Sequence, residues 1–386
     1  MKQIVEEKFK EIFGEEGKFK TYFAPISVNL MGENIAGNYI LPCTLSTGIY
    51  TTIRKREDRA INFYSLNSER NGISTATLDK LIYNENDTWI NYVKAIIWAL
   101  KEEKYEIDYG FDMVYYNEIP TNLLHFPTAS IEVLIIKILQ KMFALEIDNI
   151  KLVEICKKAQ DKFIGKECNI KNQFVIANGK KDNLLYLNAA TLDYKYIPIK
   201  LNDMKIVIIN ANRWDDEEKS QLALRKSECN EALEQLKMAG LGIETLSELK
   251  TKDFEKYKHF IEDEVLQKRA KHIIYENERI INSIKALKNN NIEEFGKIMI
   301  DSHNSLKENF EITGIEIDTL FDEILKQKGV IGTKMVRIGL ENCVVSIVKD
   351  ESVNSFTKNI ETIYKEKMGN YPKIKILDIC DGPKAI

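Results

Sequence analysis

Apolar residues recur at helical spacing from the start of the chain. Ile4, Val5, Phe9, Ile12 and Phe13 predict a short amphipathic helix over residues 3–13. From Tyr22 to Asn67 β-branched and aromatic residues dominate, broken at Gly32, Gly37, Pro42 and Gly48, which predicts several strands joined by turns. Trp89 to Leu100 returns to helical spacing, and Phe111–Ile119 alternates like a strand that ends at Pro120. Ser130 to Leu145 is apolar almost all round, the pattern of a helix inside a core, and Asn149 to Phe163 reads as a second, more amphipathic helix. Phe174–Ala177 and Leu184–Asn188 read as two strands of a hairpin with Gly179-Lys180-Lys181 at its tip, and Tyr194–Leu201 and Lys205–Ala211 as strands continuing the sheet.

After Trp214 the texture changes. Glu217–Met238, Leu266–Leu287 and Ile292–Glu308 predict long, charged, amphipathic helices, followed by Asp318–Lys328. Apolar strands return at Cys343–Val348 and Lys373–Cys380. Strand-rich, then helix-rich, then strand again is the order of an α+β protein in two parts, residues 1–200 and 201–386.

Composition narrows the function classes. The chain has 386 residues, enough for two domains, and a formal net charge of −4, so it has no basic stripe and no nucleic-acid partner is expected. No stretch approaches the ~20 apolar residues of a membrane helix, and the first residues lack the apolar run of a signal peptide. The expected location is cytoplasmic, with no membrane partner. Six cysteines without a Cys-x-x-Cys pair read as reduced thiols. Four histidines without zinc-site spacing give no candidate metal ligands.

Ala24-Pro25-Ile26-Ser27-Val28-Asn29-Leu30-Met31-Gly32-Glu33-Asn34 resembles the galactokinase signature A-P-G-R-V-N-L-I-G-E-H. Five further stretches agree in order and spacing. Trp89-Ile90-Asn91-Tyr92-Val93-Lys94 resembles W-A-N-Y-V-K, and Ile119-Pro120 through Ser130-Ile131-Glu132-Val133 is similar to I-P-x-G-x-G-L-S-S-S-A-S-L-E-V. Phe163-Ile164-Gly165 through Asn172-Gln173-Phe174 resembles F-V-G-x-x-C-G-I-M-D-Q-F, and Arg225 to Cys229 an R-R-R-Q-C helix start. Ile292-Glu293-Glu294-Phe295-Gly296 through Ser302-His303-Asn304-Ser305-Leu306 resembles I-E-x-F-G…S-H-x-S-L. The resemblance implies the fold of the GHMP small-molecule kinases: an N-terminal domain like ribosomal protein S5 with an unusual phosphate loop, and a C-terminal ferredoxin-like domain. It implies transfer of the γ-phosphoryl of ATP, with Mg²⁺, to the anomeric hydroxyl of galactose, in a cleft between the halves.

The residues that would do this work are changed. Phosphoryl transfer needs positioning, charge neutralisation and help with the nucleophile's proton. The family's catalytic Asp aligns with Asn172, which cannot act as a general base, and its charge-stabilising Arg aligns with Ser27. In the phosphate loop the two glycines become Asn122 and Leu124 and the three serines become Phe126, Pro127 and Thr128, ahead of a retained Ser130. Bulky side chains and a proline without an N–H leave few amides for phosphate. At the positions of the sugar-binding residues Glu33 is kept, Asn34 replaces His, Asn169 replaces a glycine, and Leu222 stands where Tyr is expected. Of M-T-G-A-G-F-G-G-C only Met335, Gly339 and Cys343 remain.

Trp89 and Tyr92 fall where the family forms an aromatic wall beside adenine, though helical aromatics at this spacing also suit a core. His125 stands in the altered loop without a paired acid, and Ser302-His303 continues a helix pattern rather than a triad. Three functions fit these residues: a galactokinase homologue impaired in catalysis and retained for binding a sugar, a nucleotide or a partner; a kinase acting on an altered sugar; and an interaction scaffold without a ligand.

Overall fold

The computed structural model describes residues 1–32, 39–119, 128–167, 170–211, 218–338 and 341–386. In chain order the elements are α1 (Lys2–Phe13), β1 (Phe19–Met31), β2 (Tyr39–Lys55), β3 (Ala60–Ser65), β4 (Ser74–Thr77), α2 (Ile90–Glu102), β5 (Phe111–Asn117), α3 (Thr128–Phe143), α4 (Asn149–Lys158) and α5 (Lys171–Ala177). There follow β6 (Asn183–Asn188), β7 (Tyr194–Pro198), β8 (Met204–Asn210), α6 (Glu218–Met238), α7 (Thr251–Tyr257), α8 (Glu264–Lys288), α9 (Ile292–Ser305) and α10 (Ile315–Ile324). The chain ends through β9 (Val330–Ile338), β10 (Glu341–Lys349), α11 (Asp350–Met368), β11 (Lys373–Leu377) and β12 (Lys384–Ala385).

Two compact units result, each built from more than one segment. The first comprises Met1–Ser27, Thr44–Lys181 and Cys380–Ile386; the second comprises Val28–Cys43 and Asp182–Ile379. The sequence suggested a single cut at residue 200. The long strands β1 and β2 instead pass from one unit to the other, and the last seven residues return to the first.

In the first unit the strand order is β12-β1-β2-β5-β3-β4, with β3 and β5 parallel and the β2–β5 and β3–β4 pairs antiparallel. α1 seats Val5 and Phe9 against Tyr64 and Val114, as its apolar spacing requires. α3 is a core helix, with Ile131, Val133, Leu134, Ile135, Ile136, Ile138 and Leu139 all closed to solvent. β1 and β2 approach closely at Gly48, where a Cβ would lie 1.9 Å from the Ala24 carbonyl oxygen, so only glycine fits.

In the second unit four antiparallel strands run in the order β11-β8-β10-β9. Read along the chain this is strand, helices, two strands, helix, strand, the ferredoxin-like arrangement implied by the resemblance. α6, α8, α10 and α11 cover the sheet with Ala232, Leu236, Ala270, Ile273, Leu320, Ile324, Phe356 and Ile360. β6 and β7 form a separate hairpin, and β6 also pairs Leu187 and Asn188 with Ile40 and Tyr39.

Three sequence expectations are corrected. Residues 174–177 form the helix α5 rather than a strand, because a short apolar run such as Phe174-Val175-Ile176 suits either element when buried on all sides. The hairpin partner of β6 is therefore β7, and Gly179-Lys180-Lys181 is not its tip. Helix α11 was not expected, although Val353, Phe356, Ile360 and Tyr364 carry the helical period in plain view. Among the described residues no helix is long and apolar enough to cross a membrane.

Candidate functional site

Position 27 lies on β1, half-buried, between the buried Ile26 and Val28. The strand is tied there by Ser130, whose Oγ donates a 2.8 Å hydrogen bond to the Pro25 carbonyl oxygen. Ser130 stands in the first turn of α3, one residue beyond the half-buried Thr128–Ala129 pair. Asn172 opens α5. It is exposed, and its side chain makes no hydrogen bond among the described residues. Its neighbour Gln173 is buried instead and donates Nε2 to Glu132 Oε2 at 2.8 Å. Gln160, in a π-helical turn after α4, donates to the same oxygen at 3.0 Å. Glu132 is wholly enclosed, and burial pushes its pKa up to about 8 against the two amide hydrogen bonds that favour the charged form. The carboxyl is therefore neutral at and below neutral pH.

Trp89 is only 4% exposed. Its ring stacks on Tyr115 with centroids 4.3 Å apart and meets Phe63 edge-on at 5.7 Å. The ring is part of the core and shows little face to a nucleobase. Tyr92 is half-buried on α2.

In the second unit Gly32 carries a left-handed φ of 82°, and a Cβ would come within 2.8 Å of the Tyr39 carbonyl oxygen. Its N–H donates to Glu276 Oε1 at 3.0 Å. Glu276, on α8, also accepts from Ser302 Oγ at 2.8 and 2.9 Å and from Arg279 Nε at 2.7 Å, with Lys334 Nζ 3.7 Å away. Burial would raise this carboxyl, but Arg279 and Lys334 outweigh it and hold it well below the ordinary carboxylate range. This cluster was missed in the sequence, where the available signal was a charged residue on the apolar face of α8, in step with Ile273 and Ile280. His303 is no base: its Nδ1 accepts from the Met335 N–H at 3.0 Å, its ring stacks on Phe321, and burial pushes its pKa down to about 3. Leu222 is half-buried against the helical core of this unit.

Comparison with known proteins gives these positions a context. The chain is 42% identical over 376 residues to the galactokinase of Fusobacterium nucleatum, covering 97% of each chain. It is 39% identical over 387 residues to the galactokinase of Ligilactobacillus salivarius, covering all of both. This chain belongs to the galactokinase family. Among solved structures, the galactokinase of Lactococcus lactis, determined in complex with galactose, matches with a TM-score of 0.87 at 34% identity, over all of this chain and 99% of that one. The mevalonate kinase of Methanococcus jannaschii matches at a TM-score of 0.64 and 19% identity, which shows the shared GHMP kinase fold alone. No family model matches the chain.

Of the expected galactokinase site positions, the structure places Ser27, Asn172, Thr128 and Ser130 in the first unit, all reached by the strand β1 or the helices α3 and α5. Glu33, Asn34, Asn122, Leu124 and Asn169 lie outside the described residues, as do His125, Phe126 and Pro127. Among the described residues no group of three or more His, Cys, Asp or Glu side chains could hold a metal ion. The phosphate loop that the resemblance assigns to ATP and Mg²⁺ lies outside the described residues. Ser130 Oγ is committed to a backbone carbonyl, Trp89 is packed on Tyr115, and neither Ser27 nor Asn172 carries a charge.

Proposed function

We propose that this galactokinase-family chain is impaired in phosphoryl transfer to galactose and is retained for binding a sugar or a nucleotide. The observation that supports it best is the pair of side chains at positions 27 and 172. An exposed asparagine that hydrogen-bonds to nothing described cannot take the proton of a sugar hydroxyl, and a serine on β1 cannot neutralise the charge of a transferring phosphoryl group. Sugar as the ligand class is supported by the galactose held by the Lactococcus lactis relative. ATP and Mg²⁺ are the co-substrates that the family name carries, and the proposal expects them to bind weakly here. None of the five described cysteines forms a disulfide, which supports a reducing, cytoplasmic setting.

The test is ADP release from ATP–Mg²⁺ with galactose, run beside the Fusobacterium nucleatum enzyme, together with calorimetric binding of galactose and of ATP. The expected turnover is lower by at least about 10²-fold, the usual worth of positioned acid–base help. Turnover at the relative's rate would overturn the reading and make the chain an ordinary galactokinase. ADP release with a different hexose would replace it with a kinase of altered sugar preference.

A further inference from the structure

Asn172 is exposed and its side chain has no anchor among the described residues, so where it stands depends on how α5 is held. Both ends of α5 are held from α3. At the start, Glu132 Oε2 takes the amide of Gln173, and the amide of Gln160 completes the pair. At the end, Lys137 Nζ donates to Asn149 Oδ1 at 2.8 Å, and Asn149 Nδ2 donates to Asn178 Oδ1 at 2.9 Å and to the Ala177 carbonyl oxygen at 3.3 Å. The first turn of α3 also holds β1 through Ser130 and Pro25, two residues before Ser27. One helix thus sets the two positions that matter most for chemistry in the family. Glu132 is a carboxyl with no counter-charge among the described residues. Its second oxygen, Oε1, is buried without a hydrogen-bond partner among the described residues. Such a group is costly in a core and adds less stability than an apolar residue of its size, so packing alone does not account for it.

We propose that Glu132 is a positioning residue for the ligand site: through Gln173 it fixes the start of α5 and so sets where the side chain at position 172 stands. Position 172 enters as a site position on the reading given above, whether or not turnover survives. An uncharged acceptor is all the role needs. Glutamine should therefore replace Glu132, whereas alanine should remove the acceptor that both amides share.

The experiment compares the full chain with Glu132→Ala, Glu132→Gln and Gln173→Leu. It follows amide hydrogen exchange across α5 and the side-chain amide resonance of Asn172, assigned by its loss in Asn172→Asp. Glu132→Ala and Gln173→Leu should each speed exchange in α5 by about tenfold, the scale of one or two lost buried hydrogen bonds. Both should shift or broaden the Asn172 resonance while α2 keeps its protection. Glu132→Gln should restore both signals to those of the parent. The proposal is overturned if α5 and α2 loosen together, if Glu132→Gln behaves like Glu132→Ala, or if Gln173→Leu leaves both signals unchanged. Should Glu132→Ala fail to fold, the other two variants carry the same expectations. Neither signal depends on turnover, so an active galactokinase would sink the proposed function and leave this result standing.

Discussion

The two units each bury a glutamate on a helix, and the two carboxyls are treated in opposite ways. Glu132 in the first unit meets only neutral amides, and burial drives it toward the protonated form, with a pKa of about 8. Glu276 in the second meets Arg279, Lys334, Ser302 and the Gly32 amide, and stays ionised far into acid. Burial is complete at both places, so desolvation does not separate them. Counter-charge does. A neutral carboxyl can be exchanged for an amide at little cost, whereas an ionised one that Arg279, Ser302 and the Gly32 amide all donate to cannot be removed without breaking those charge-assisted bonds.

That contrast can be broken most forcefully at Glu276. Glu276→Ala removes the buried carboxylate that Arg279 Nε, Ser302 Oγ and the Gly32 N–H donate to, and the expected loss is about 3–5 kcal/mol, read from urea unfolding followed by a probe in the second unit. A loss below about 1 kcal/mol, the scale of an exposed pair, would show that the charges are not mutually dependent. The next largest effect is on pH dependence. Glu132 has its folded pKa raised from 4.5 to about 8, so its contribution is complete below the unfolded value and is lost as pH climbs to about 8. His272 and His303 have folded values lowered from 6.5 to about 3, so they act in the other direction, costing stability as pH falls below 6.5. Between pH 6.5 and 8 only Glu132 among these three contributes. The parent should lose stability there with a slope of at most about 1.4 kcal/mol per pH unit, and Glu132→Gln should be flat. Parallel curves for the two proteins would mean that Glu132 is ionised. An effect of similar size is expected at Gly32, where Gly32→Ala forces a side chain into a left-handed backbone beside the Tyr39 carbonyl. A cost of about 1–3 kcal/mol is expected by thermal unfolding, and a stabilised protein would show that Gly32 is not strained by a side chain.

Family membership and most helices were legible before any coordinates. The apolar wrap of Ile131 to Leu139 announced a core helix, and its opening Ser130-Ile131-Glu132-Val133 carried the resemblance. Period alone misled at Phe174-Val175-Ile176, which with Gln173 make four buried positions in a row and erase the difference between strand and helix. Trp89 shows a subtler loss. Its family position suggested an adenine wall, yet the face it would offer is spent on Tyr115, a contact between residues far apart in sequence.

Residue identity fixed that positions 27 and 172 carry no charge, because no fold gives asparagine a carboxylate or serine a cation. It also settled the family, through colinear motifs across the whole chain. Only the tertiary structure decided what Glu132 and Glu276 are, since a carboxyl's charge depends on which dipoles and cations surround it once water is gone, and those neighbours come from distant segments.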